Sequence, residues 1–133
     1  SSAARDRGEG FNTAVDGKLD IVAKQTANFN RAEGLTVMEN ILQANPDIVG
    51  VFAHNDEMAL GALEAIAATG KDIKVIGFDA TDDAVAAVSA GTLSATVAQK
   101  PTEIGIKAVE TAIKYLNGET VEANVPVELE LVK

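Results

Sequence analysis

Asn55 and Asp79 are the residues at which two apolar runs of this chain stop, Phe52-Ala53 before His54-Asn55-Asp56 and Val75-Ile76-Gly77-Phe78 before Asp79. Each run reads as a short buried parallel strand, and each turns abruptly polar where a loop or helix should begin. In open α/β sheets the carboxyl ends of the strands rim a crevice in which ligands sit, so Asn55 and Asp79 are expected to project from neighbouring strands into one pocket. An ionised carboxylate only accepts hydrogen bonds, whereas a carboxamide both donates and accepts. That pair suits a small ligand carrying many polar groups.

Enzyme chemistry finds little to stand on. There is no glycine-rich phosphate loop, no G-x-S-x-G elbow and no metal motif, and the lone histidine, His54, has no recognisable nucleophile beside it. Asp79 with Glu57 or Asp82 would be needed as an acid/base pair for glycoside hydrolysis, and nothing in their spacing supports one. The Asp79, Asp82, Asp83 cluster lacks the alternation and terminal glutamate of an EF-hand. With no cysteine and one histidine, thiolate nucleophiles, disulfides and the usual zinc sites are excluded, and no cofactor is expected. Asp56 reads as a helix cap and not as a ligand group.

The remaining composition sets broad limits. A chain of 133 residues, 47% of them hydrophobic, can bury one core but scarcely two. The formal net charge of -9 repels phosphate backbones and anionic lipid, so no nucleic-acid partner is expected. No apolar run approaches the roughly 20 residues needed to span a bilayer, and the amino terminus lacks the regions of a signal peptide.

The elements that must position Asn55 and Asp79 follow from periodicity. Five helices are predicted, at about Ala4 to Val15, Arg31 to Gln43, Glu57 to Thr69 behind an Asp56 cap, Asp82 to Ala90, and Thr102 to Leu116. Five strands alternate with them: Leu19 to Lys24, Ile48 to Ala53, Lys74 to Phe78, Ser94 to Gln99, and Val125 to Val132, the last as a half-exposed or edge strand. Pro46, Gly70, Gly91, Pro101 and Gly118 stand where helices should stop or start. The alternation predicts an α/β fold, a doubly wound parallel sheet with helices on both faces. Such a fold should begin with a strand, yet this chain opens on a helix. The first strand is therefore expected to be cut away or supplied by another polypeptide. If that strand is central, as in the order 2-1-3-4-5, Leu19 to Lys24 and Ile48 to Ala53 should either pair directly or receive a strand from elsewhere.

Five segments in register resemble the carboxyl-terminal half of the ribose-binding proteins, type I periplasmic sugar-binding proteins that serve ATP-driven importers. They are Ser2 to Phe11, Ala27-Asn28-Phe29-Asn30-Arg31, Val51 to Leu63, Val75-Ile76-Gly77-Phe78-Asp79 and Ala95-Thr96-Val97-Ala98-Gln99. The resemblance implies one lobe of a two-lobed clamp that closes on a sugar. It also implies sugar contacts from Arg7, Phe29, Asn55, Asp79 and Gln99, with Phe78 as a second stacking ring. A pentose presents adjacent hydroxyls that both donate and accept, which matches this mixture of carboxylate, guanidinium, amides and aromatic faces. Taken singly, five of the six have a plainer reading: Asn55 as a cap, Asp79 as part of an acidic turn, Arg7 as a solvated cation, Phe29 and Phe78 as core.

By the same resemblance, residues 1–99 form the main sugar-binding lobe, 100–128 cross the hinge and carry a helix that packs on the absent lobe, and 129–133 return as a strand. The expected partners are ribose or a similar monosaccharide, the amino-terminal half of the same protein and the membrane permease of the importer, in an extracytoplasmic setting. The apolar face of the last helix, with Ile106, Val109 and Ile113, should be covered in isolation by this lobe or by a second copy in a domain-swapped or paired dimer. The alternative function is the effector-binding core of a lactose-repressor-like transcription regulator, which shares the fold and similar segments.

Overall fold

The computed structural model describes residues 1–133, in five helices and four strands. The helices are α1 (Ser2–Val15), α2 (Arg31–Ala44), α3 (Asp56–Ala67), α4 (Asp82–Ser89) and α5 (Pro101–Leu116). The strands are β1 (Gly50–Phe52), β2 (Lys74–Phe78), β3 (Ala95–Ala98) and β4 (Glu130–Val132). They form one sheet in the order β1-β2-β3-β4, the first three parallel and β4 antiparallel at the edge. No helix is long and apolar enough to cross a membrane.

Alternation of side chains along the strands divides the molecule into two faces. Ala53 and Val75 point toward α2, α3 and α4, where Met38, Leu42, Ala59, Ala62, Ala65, Ile66 and Ala84 complete the core. Phe52, Ile76 and Phe78 point the other way. There α1 lies across the top, with Phe11 stacked on Phe52 at 5.1 Å between ring centroids. Two glycines let α2 and α3 approach closely: a Cβ at Gly34 would fall 2.8 Å from the Met58 carbonyl oxygen, and one at Gly61 2.1 Å from that of Arg31. Helix ends follow local chemistry. Ser1, Asn30, Asn55 and Thr81 each accept from a backbone amide of the first turn they cap. Pro101 opens α5, and Gly70, Gly91 and Gly118 adopt the left-handed φ that closes a helix.

One expectation from sequence is corrected here. Leu19 to Lys24 is not a strand, and it does not pair with β1. A strand exists only by pairing, and this segment runs through solvent with Leu19, Ile21 and Val22 exposed. β1 is therefore an edge strand of the sheet, paired only with β2. Helix α5 has no buried residue; Ile106, Val109 and Ile113 are about half exposed, at 53, 61 and 52%. This lobe does not cover that face, since α5 stands off the sheet on the chain segment that follows β3.

Candidate functional site

Asp79 sits just beyond β2 and is the hub of the polar cluster. Its Oδ1 accepts from Gln99 Nε2, just beyond β3, at 2.7 Å. The same oxygen lies 3.6 Å from Arg7 Nη2 on α1, with the two side chains 33% and 16% exposed. Arg7 is fixed twice more. Its Nη1 donates to the His54 carbonyl beyond β1 at 2.6 Å, and its guanidinium carbon stands 3.8 Å from the centroid of the Phe78 ring. The ring's negative face attracts the cation and holds the guanidinium in place. Three strand ends and a helix therefore meet at one point, as the sheet topology predicts. Asp79 Oδ2 and Gln99 Oε1 accept from no protein donor, and Arg7 keeps unused N–H groups. Acceptors and donors stand side by side on a partly open surface.

Asn55 and Phe29 form a second pair. Asn55 is buried and caps α3, its Oδ1 accepting from the Met58 amide at 3.0 Å, while its Nδ2 donates to the Phe29 carbonyl at 3.2 Å. The amide has two N–H groups, and only one of them has a protein partner. This corrects the expectation that Asp56 caps the helix: Asn55 caps it, and Asp56 is the first helical residue. Phe29 is 40% exposed. It sits on a left-handed corner with φ of 49° at Asn28 and 59° at Phe29, a conformation that side chains resist. The hydrogen bond from Asn55 helps hold that corner. Arg7, Phe78, Asp79 and Gln99 are thus brought into direct contact; Asn55 adjoins them through His54, and Phe29 joins through Asn55.

His54 is half-buried beside two cations. Burial, then the charges of Arg7 and Lys24, lower its pKa from the usual 6.5 and favour the neutral imidazole. A Cβ at Gly8 would stand 3.3 Å from His54 Cε1, which is how closely α1 lies on this residue. No three His, Cys, Asp or Glu side chains are grouped so as to hold a metal ion. A concavity of about 630 Å³, lined by Asn12, Val15 and residues 16–21, lies apart and contains none of the predicted site residues.

Sequence reasoning missed Asp56 and Thr96. Asp56 is wholly buried and accepts from the Thr96 hydroxyl at 2.7 Å and the Thr81 amide at 2.8 Å. The available signals were Gly77 inside an apolar strand, which marks a close approach, and Thr96 as the polar member of Ala95–Ala98. The role of the His54 carbonyl had no signal, because any residue supplies that atom.

Residues 1–120 match the periplasmic binding protein domain. The chain belongs to that family. It is 56% identical over 131 residues to the ribose import binding protein of Bacillus subtilis (strain 168), a match covering 98% of this chain and 43% of that protein. The ribose import binding protein of Escherichia coli (strain K12) is also 56% identical, over 134 residues, with 99% of this chain and 45% of the relative covered. A carbohydrate transporter solute-binding protein from Agrobacterium radiobacter, solved in complex with D-arabinose, superposes with a TM-score of 0.85 at 38% identity, over 96% of this chain and 45% of that one. A periplasmic solute-binding protein from Actinobacillus succinogenes 130z with bound D-allose gives 0.84 at 35% identity, over 96% and 46%. Each of these four is named a binding protein, none an enzyme. The chain spans under half the length of the curated relatives it matches.

Proposed function

We propose that this chain is the sugar-binding half of an extracytoplasmic solute-binding protein for an ATP-driven monosaccharide importer, with ribose as the sugar. The observation that carries the reading is the convergence of Arg7, Asp79 and Gln99, from three separate elements, on one partly open point. Asp79 Oδ2 and Gln99 Oε1 accept from the sugar, Arg7 and the spare amide hydrogen of Asn55 donate to it, and Phe29 offers a ring face. Phe78 acts from beneath, since its ring already bears Arg7. A set of fixed hydrogen-bonding groups complements a ground-state ligand, which is what a carrier requires. The names of the relatives support transport over the repressor-like alternative.

In the whole protein the amino-terminal half closes over the sugar, adding contacts made only in the closed state and shifting the population toward it. Residues 100–128 cross to that half, and it covers the apolar face of α5. The liganded form then docks on the membrane permease. The test is a thermal-shift screen of monosaccharides on the chain recombined with its amino-terminal half. Stabilisation by ribose above other pentoses and hexoses supports the reading, because a ligand that binds only the native state raises its melting temperature. No shift with any monosaccharide overturns it.

A further inference from the structure

Asp79 owes its direction to a strained turn. Its φ is 117° and that of Ala80 is 54°, both in the region that side chains disfavour. Such residues persist only where the surroundings over-determine them. Here the surroundings are a fully buried carboxylate. Asp56 Oδ2 accepts from the Thr81 amide at 2.8 Å, and Asp56 Oδ1 accepts from the Thr96 hydroxyl at 2.7 Å. Thr96 Oγ1 in turn accepts from the Ala80 amide at 3.1 Å. The two amides that follow Asp79 are therefore both tied to Asp56, one directly and one through Thr96. Gly77 makes the space: a Cβ there would fall 2.2 Å from Asp56 Oδ1.

We propose that Asp56 is a positioning residue for the sugar site, latching the turn of Asp79 and Ala80, through Thr96 and the Thr81 amide, so that the Asp79 carboxylate faces the ligand. The inference rests on the sugar-binding role of Asp79 proposed above. Asp56 touches no ligand. With the latch loosened, the binding-competent turn is populated only part of the time, and the apparent affinity falls by that fraction.

The experiment uses Thr96→Val, which keeps the shape and removes the hydroxyl, with Thr96→Ser as the conservative partner, in the chain recombined with its amino-terminal half. Thr96→Val should weaken ribose binding about tenfold and Thr96→Ser by less than about twofold. Adding Ala80→Gly to Thr96→Val should restore most of the loss, because glycine adopts the left-handed conformation freely. A merely structural role for Thr96 would give no such rescue. Amide hydrogen exchange at Ala80 reads the latch without ligand, and it should accelerate in Thr96→Val while α2 and α3 keep their protection. Unchanged affinity and unchanged exchange in Thr96→Val overturn the proposal, as does a loss that Ala80→Gly leaves untouched. Should the unsubstituted protein bind no sugar, the reading of Asp79 as a sugar ligand fails by itself. The exchange at Ala80 then still decides whether the latch exists.

Discussion

Gly61→Ala tests how the helix pair beneath the site is built. On the present backbone the new Cβ falls 2.1 Å from the Arg31 carbonyl oxygen, 2.8 Å from the Leu35 amide nitrogen and 3.0 Å from the Arg31 carbonyl carbon. All three are backbone atoms of α2, so no rotamer change relieves them, and α2 must retreat by about 1 Å from a close-packed neighbour. Overpacking of this kind costs about 1–3 kcal/mol. Alanine regains roughly 0.8–1 kcal/mol of helix propensity. The contact with rigid backbone places the clash at the top of its range, and the net effect is a destabilisation of about 2 kcal/mol. Gly10→Ala in α1 is the control, since its Cβ meets nothing within 4 Å. It should gain about 0.5–1 kcal/mol. Urea unfolding followed by circular dichroism measures both, with equal slopes required before midpoints are compared. A Gly61→Ala chain as stable as the parent, beside a stabilised Gly10→Ala chain, would refute the reasoning. The same shift reaches the site, because α2 starts at Arg31, two residues after the Phe29 carbonyl that Asn55 holds at 3.2 Å.

The isolated chain should bind ribose weakly or not at all, because contacts from one side leave the ligand wet; calorimetry finding micromolar affinity in a monomeric preparation would contradict this. With its α5 face uncovered, the isolated chain should associate at high concentration, and Val109→Lys with Ile113→Lys should restore the monomer. Light scattering that finds the unsubstituted chain strictly monomeric would count against it. His54 has a folded pKa lowered by burial and then by Arg7 and Lys24, so the unfolded state takes up its proton first as pH falls. Its contribution is therefore present above the unfolded value of 6.5 and lost as pH drops from there toward the depressed folded value. Urea midpoints of His54→Gln should fall less than those of the parent over that window, and parallel curves would oppose the assignment.

The sequence was most legible where local and tertiary signals agreed. Lys74 to Phe78 is found with both ends as read, since an apolar run between charged turns has one sensible fate. Asn55 and Asp79 were legible as ends of parallel strands, Gln99 and Arg7 only through family resemblance; nothing local distinguishes Arg7 from the neighbouring Arg5. Leu19 to Lys24 has the pattern of a strand, but pairing is a property of two segments, and no strand of this chain lies beside it. Asp56 was misread because aspartate and asparagine both cap helices. Adjacent in sequence, they divided the work: Asn55 caps, while Asp56 turns inward to Thr96 and Thr81.

Calorimetric titration of ribose into the recombined protein, with and without Asp79→Asn, bears most directly on the claim that these side chains share one ligand. Asparagine keeps the size and tolerates the left-handed turn, but it removes the charge that Arg7 faces and that strengthens each hydrogen bond. A charge-assisted hydrogen bond contributes about 1.5–3 kcal/mol, so affinity should fall roughly 10- to 100-fold while the thermal midpoint of the unliganded protein holds. Ribose bound equally well by both proteins would contradict the account.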